Sequence, residues 1–200
     1  MYLARLTLDL RNAGARRDLA DAYDMHRSLV RAFVADNQDK PPRFLWRLEP
    51  ESAWREPVVI VQSTCAPDWS SLEAPGYLKK PVESKSVDFD QLFEAERRYR
   101  FRLFANPTVT QGGKRFGLAS EGAQCQWLDR QAAKAGFEVD TALVTATDVL
   151  DVRGGDIRLR QACFEGVLSI RDSTALKHAV ERGIGPGKAF GFGLLSVSPR

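Results

Sequence analysis

The chain has 200 residues, 44 % hydrophobic and 28 % charged, with 29 basic side chains against 26 acidic ones. This composition belongs to a folded globular chain, one large domain or two of roughly 100 residues each, and excludes wholesale disorder. No run approaches the ~18 apolar residues of a membrane span, Met1–Arg11 lacks the basic-then-apolar layout of a signal peptide, and the expected compartment is the cytosol.

Tyr2 to Leu10 alternates, with Tyr2, Ala4, Leu6, Leu8 and Leu10 on one face, and predicts a half-buried strand. Residues 11–20, rich in Arg, Ala and Gly, read as a loop. Asp18 or Asp21 caps a helix whose Met25, Leu29, Val30 and Phe33 keep helical spacing, and which stops before Pro41-Pro42. Phe44–Leu48 and Val58–Gln62 read as strands, Pro67–Leu72 as a short helical turn and Val82–Phe89 as a fourth strand. The order β-α-β-β-(α)-β is the ferredoxin-like pattern.

The same order then recurs. Tyr99–Ala105 is strand-like, and Ser120–Ala135 is a helix ended by Gly136. Val139–Val152 is a strand that turns at Arg153-Gly154-Gly155-Asp156 into a second one, Ile157–Ile170, broken near Cys163. A helix capped by Asp172 or Ser173 runs to Arg182 and ends at Gly183, and Leu194–Val197 is a final strand. The expected fold is α+β: two tandem ferredoxin-like (RRM-like, βαββαβ) domains with antiparallel sheets, residues 1–90 and 91–200, joined near 88–97. The duplication rests on element order, not on identity between the halves.

Cys65, Cys125 and Cys163 lie far apart without a CxxC, and the two histidines, His26 and His178, show no zinc-site spacing. No metal and no cofactor are expected, so chemistry falls to side chains. Of the 29 bases, 21 are arginines, whose planar fork grips phosphate bidentately. A GC-rich genome gives the same bias.

Three constellations stand out. Tyr23 and His26 are i, i+3 on one helix face, with Arg27 adjacent. An imidazole that titrates near neutrality can give or take a proton, and tyrosine can orient it or a substrate. A surface histidine beside an amphipathic tyrosine has the same spacing. Gly183 to Gly193 holds five glycines in 11 positions and includes Lys188, Phe190 and Phe192. Gly185, Gly187 and Gly191 allow close backbone approach, and successive N–H groups with Lys188 could cradle phosphate. The segment is neither a P-loop nor a dinucleotide fingerprint, and a flexible connection into the last strand is the other reading. The third constellation is basic: Arg97, Arg98, Arg100 and Arg102, then Lys114 and Arg115 after Gly112-Gly113, with Arg153, Arg158 and Arg160 further on. Such rows track a phosphate backbone, and solvated sheet faces carry them too. Asp18, Asp21 and Asp24 are read as acids favoured at a helix N-terminus rather than as metal ligands, and His178 as structural.

The start MYLARLTLDL, the helix AYDMHRSLVRAF, the segment FRLFANPTVTQGGKRFGL and the ending ERGIGPGKAFGFGLLSV together resemble the CasE (Cse-three) family, the CRISPR RNA-processing endoribonucleases of type I-E systems. The resemblance spans nearly the whole chain and is weakest between about residues 50 and 95. It implies tandem ferredoxin-like domains and a single cut at the 3′ base of the stem of the repeat hairpin in the CRISPR precursor RNA. The reaction it implies needs no metal: a 2′-OH attacks the neighbouring phosphate, leaving a 2′,3′-cyclic phosphate and a 5′-OH. The mature guide RNA then stays bound, with other Cascade subunits as partners. His26 matches the family's catalytic histidine and Tyr23 its neighbouring tyrosine. Gly183–Gly193 matches the Gly-rich loop, and Lys114 and Arg115 the basic segment. Arg27, Arg153, Arg158 and Arg160 join the RNA-binding set by position and charge. The alternative is a non-catalytic RNA-binding subunit of the same fold.

Overall fold

In the computed structural model, residues 1–34, 41–50, 56–73, 75–94 and 97–200 are described. The N-terminal alternation becomes strand β1 (Tyr2–Thr7), which sends Ala4 and Leu6 into the core. Residues 11–20 depart from the expected loop. Asn12 accepts hydrogen bonds from the N–H groups of Gly14 and Ala15 and starts helix α1 (Ala13–Ala20). Asp21 caps helix α2 (Ala22–Val30), whose buried face carries Met25, Ser28 and Leu29. Asp18 is no cap: it is buried within α1, paired with Arg17 and accepting from the Tyr77 hydroxyl at 2.7 Å. The stretch 35–40, where the helix was expected to run out before Pro41-Pro42, lies outside the described residues.

Strands β2 (Phe44–Leu48) and β3 (Val58–Ser63) follow. A single 3₁₀ turn at Trp69–Ser71 stands where a second helix would be. Strand β4 is only Glu83–Ser86, shorter than expected, because Asp88 caps a short helix α3 (Phe89–Leu92) instead. The first sheet has the order β2-β3-β1-β4 and is antiparallel throughout.

The second half repeats this plan. It contains β5 (Arg98–Ala105), α4 (Glu121–Lys134), β8 (Phe137–Val152), β9 (Ile157–Ile170), α5 (Ser173–Arg182) and β10 (Leu195–Pro199). Its sheet order, β10-β5-β9-β8, is the same permutation. An unexpected hairpin, β6 (Thr108–Gln111) and β7 (Lys114–Gly117), projects between β5 and α4. Strand β9 runs unbroken past Cys163. The irregularity lies on its partner β8, between Val144 and Ala146, where one extra residue stands opposite. Phe89 and Phe93, at and just after α3, pack with Tyr99, Trp127 and Phe164 in the second core.

The halves meet along β2, which is buried on both faces. Phe44 and Trp46 face the first core, while Leu45 and Arg47 face the second half. The Arg47 guanidinium, its side chain 4 % exposed, binds Glu49 and donates to the carbonyls of Arg102 at 3.5 Å and Leu194 at 3.4 Å. Its planar face lies 5.8 Å from the centre of the Phe104 ring. Arg102 then bridges Glu49 at 2.6 Å and Glu165 at 2.7 Å. Gln62 donates to the Val180 carbonyl at 2.7 Å.

Arg47→Ala leaves Glu49 its Arg102 partner but takes a charged donor from two carbonyls, and should lower the unfolding free energy by roughly 1–3 kcal/mol in urea titration. Arg158→Ala, which breaks an exposed pair with Asp151, should cost about 0–1 kcal/mol.

Candidate active site

Helix α2 presents Tyr23, His26 and Arg27 on its outer side while Met25 and Leu29 anchor its inner side. His26 is partly buried. Its ring stacks on Phe44 at 5.1 Å with an interplanar angle of 18°. Nδ1 is buried and has no hydrogen-bond partner among the described residues, which leaves Nε2 as the ring nitrogen open to a ligand. Burial alone pushes the imidazole pKa below its ordinary value, because the charged form would sit in poorly solvated surroundings. Burial thus favours the uncharged form of His26.

Tyr23 is flanked by two guanidinium groups. Arg27 lies 5.7 Å from its ring centre, and Arg153, from the turn between β8 and β9, lies 5.2 Å from it. The turn is held there by its backbone. The Arg153 N–H donates to Asp21 Oδ2 at 2.7 Å, while Asp21 Oδ1 accepts from the Tyr23 N–H at 2.8 Å. The long β8–β9 arm therefore brings residues 130 positions apart in sequence to one place. Two cations thus meet at a phenol one helical turn from an imidazole, an arrangement able to hold a phosphodiester and exchange a proton with it.

The glycine-rich segment packs beneath α2 in a 3₁₀ turn at Lys188–Phe190. Its glycines are required by packing. A Cβ on Gly185, which has φ +78°, would lie 2.8 Å from the Trp127 ring, and one on Gly191, with φ +85°, 3.1 Å from the Trp46 ring. Lys188 turns inward: its ammonium donates to the Gly185 carbonyl at 2.5 Å, and burial pushes its pKa down. Phe192 is core, beside Phe104 and Cys163. Gly187, also left-handed, stands against Phe192. The segment is a platform for α2, further tied down by the Trp46 indole N–H on the Ala189 carbonyl at 3.3 Å.

Lys114 and Arg115 lie on the exposed β6–β7 hairpin, near the turn at Gly112-Gly113. That hairpin rests on β9, where a Cβ on Gly117 would meet Arg160 Cβ at 2.7 Å. Lys114 and Arg115 lie on the same strand as Gly117, three and two residues before that contact. Arg158 is exposed and pairs with Asp151 at 3.0 Å. Arg102, from the predicted basic row, is consumed in the interdomain ion network. His178 is exposed on α5, 3.9 Å from Glu181 and far in sequence from α2. Sequence reasoning missed Phe44, which touches His26, and the second role of Asp21; neither contact has a local sequence signal. Among the described residues no His/Cys/Asp/Glu group is arranged to hold a metal ion, and no helix is long and apolar enough to cross a membrane.

Because the His26 pKa is lower in the folded chain than the ordinary 6.5, the unfolded chain binds the proton more tightly. Its contribution to stability is complete above the unfolded value and is lost as pH falls through the folded one. In an NMR titration of the RNA-free protein, the His26 ring protons should show a midpoint below 6.5; a midpoint at or above it would contradict the buried geometry.

Comparison with known proteins agrees with this architecture. The CRISPR associated protein family profile matches residues 1–199. The CRISPR-associated endoribonuclease Cse3 of Thermus thermophilus is 36 % identical over 219 aligned positions, covering 100 % of both chains. The CRISPR system Cascade subunit CasE of Escherichia coli is 30 % identical over 213 positions, again covering 100 % of both. The structure of Thermus thermophilus Cse3 bound to an RNA representing a pre-cleavage complex superimposes with a TM-score of 0.89 at 36 % identity, covering 99 % of this chain and 98 % of that one. The tandem ferredoxin-like fold, the full-length match and the level of identity place the chain in the CasE/Cse3 family of CRISPR-associated proteins.

Proposed function

We propose that the chain is a metal-independent endoribonuclease that cuts the repeat hairpin of CRISPR precursor RNA at the 3′ base of its stem. It then remains on the mature guide RNA as a Cascade subunit in the cytosol. The observation that carries this reading is the half-buried His26 imidazole, stacked on Phe44 with Nδ1 unpartnered among the described residues, one helical turn from a Tyr23 ring that both Arg27 and Arg153 approach. The named activity of the Thermus relative and the Cascade membership of the Escherichia relative support it.

RNA supplies its own nucleophile. The 2′-OH upstream of the scissile bond attacks phosphorus and loses its proton, a P–O bond to the cyclic product forms, and the P–O5′ bond breaks. The leaving 5′-oxygen takes up a proton, so atoms and charge balance without a cofactor. His26 exchanges one of these protons at Nε2, worth roughly 10²–10⁴-fold. A bound phosphodiester raises the imidazole pKa, against the effect of burial. Tyr23 orients the phosphate, and Arg27 and Arg153 offset charge on the phosphorane. Lys114, Arg115, Arg158 and Arg160 bind the stem through its backbone, as A-form RNA requires. Gly185, Gly187, Lys188 and Gly191 serve RNA binding by holding the platform under α2. Residues 1–90 form the catalytic half and 91–200 the half that grips the stem.

Single-turnover cleavage of the host's repeat hairpin in EDTA should yield a 2′,3′-cyclic phosphate end and be lost in His26→Ala. Tight binding without turnover in the wild type would instead identify a non-catalytic RNA-binding subunit. Replacing Lys114 and Arg115 together by Ala should weaken hairpin binding and flatten its salt slope by up to about two units, about one per lost phosphate contact. An unchanged slope would remove both from the phosphate-contacting set.

A further inference from the structure

The His26 imidazole is the end ring of an aromatic column. Phe44 stacks on it at 5.1 Å and 18°, and Phe33 stacks on Phe44 at 4.6 Å and 14°. Trp69 meets Phe33 edge-on at 6.2 Å and 73°. Phe44 is the ring common to both near-parallel stacks.

We propose that Phe44 is a positioning residue for RNA cleavage: backed by Phe33, its ring holds the His26 imidazole in one plane with Nε2 outward. The proposal rests on the reading of His26 as the proton-transfer residue. A histidine on the outer side of a helix samples several rotamers unless something locks it. No hydrogen bond does so here, since Nδ1 has no partner among the described residues. The stack is what remains. It is rigid because its members come from different elements. Phe44 opens β2, is 7 % exposed and is fixed in register opposite Ser63. Phe33 follows α2 in a turn whose N–H groups bond back to Val30 and Leu29. Trp69 belongs to the 3₁₀ turn that replaces the second helix.

The same ring also keeps water from one face of the imidazole. Charged groups on α2 and on the segments beside it include Asp21, Asp24 and Arg27, Arg43 just before Phe44, Arg153 at the tip of the β8–β9 arm and Lys188 in the turn packed against α2. None contributes a resolved shift to His26, where burial is the one cause. A leucine at position 44 fills part of the volume and offers no flat face. The imidazole then tilts and gains water.

The test compares full-length wild type, Phe44→Leu, Phe44→Tyr and His26→Ala. The His26 ring protons of the wild type should be displaced upfield by the Phe44 ring current. Phe44→Leu should lose that displacement, raise the His26 midpoint toward 6.5 and leave far-UV circular dichroism unchanged. It should slow single-turnover cleavage by about 10- to 100-fold while hairpin affinity stays within about twofold. Phe44→Tyr, which keeps the ring, should behave as wild type in all three respects. Cleavage by Phe44→Leu at the wild-type rate would overturn the proposal, as would a loss of affinity equal to the loss of rate, or a tyrosine variant as slow as the leucine one. Should Phe44→Leu fail to fold, Phe33→Leu removes only the backing ring and should move resonances and rate in the same directions by less; no change there would also overturn it. If His26→Ala cleaves as well as wild type, the assignment of His26 falls, while the ring-current result still reports the stack, so the two failures are told apart.

Discussion

A buried guanidinium holds the two halves of this protein together. Arg47 brings a positive charge into a seam between two sheets, where desolvation opposes it. Glu49, two backbone carbonyls and the Phe104 ring answer that cost at separate parts of the same planar group. Lysine, a point charge with no flat face, cannot make these contacts together. The candidate site is tied to this seam through β2. Strand β2 carries Phe44 against His26 at one end and Arg47 in the clasp three residues later. The glycine-rich platform beneath α2 comes from the second half, as does Arg153 beside Tyr23. The helix in the first half that carries Tyr23 and His26 thus takes its surroundings in part from the second.

Much of this was legible in the sequence where burial imposes a period. β1, β3, β5, α4 and α5 each bury one face, and their apolar spacing shows it; β2, buried on both, reads as a short apolar run. Helix α1 was not legible because it buries only Ala15 and Asp18, too few to write a helical stripe. Its signal was the cap Asn12, which closes on two N–H groups. The β6–β7 hairpin was missed for a related reason. It is exposed or half-exposed along its length, so no alternation marks it, and Gly112-Gly113 was its only punctuation. Val82–Phe89 was read as one strand although Asp88 is a helix cap in its midst.

At the site, residue types were readable and their surroundings were not. Tyr23 and His26 share a helix face by spacing alone. That Phe44 rather than a carboxylate adjoins His26 depends on how β2 returns past α2. Glycines and a lysine in one segment suggest a phosphate cradle, yet packing against Trp46 and Trp127 explains the same glycines, and Lys188 spends its charge on the Gly185 carbonyl. Local composition cannot separate a backbone pressed on a ligand from one pressed on an indole.

Asp21 gives the molecule a property that neither half has alone. One planar carboxylate caps α2 through Oδ1 and secures the tip of the β8–β9 arm through Oδ2. Because both oxygens belong to a single rigid plane, the arm and the first turn of the helix share an orientation. A double helix lying along the arm would load this joint as a lever loads its pivot. On the reading proposed above, its torque would pass through Asp21 to the turn that bears Tyr23.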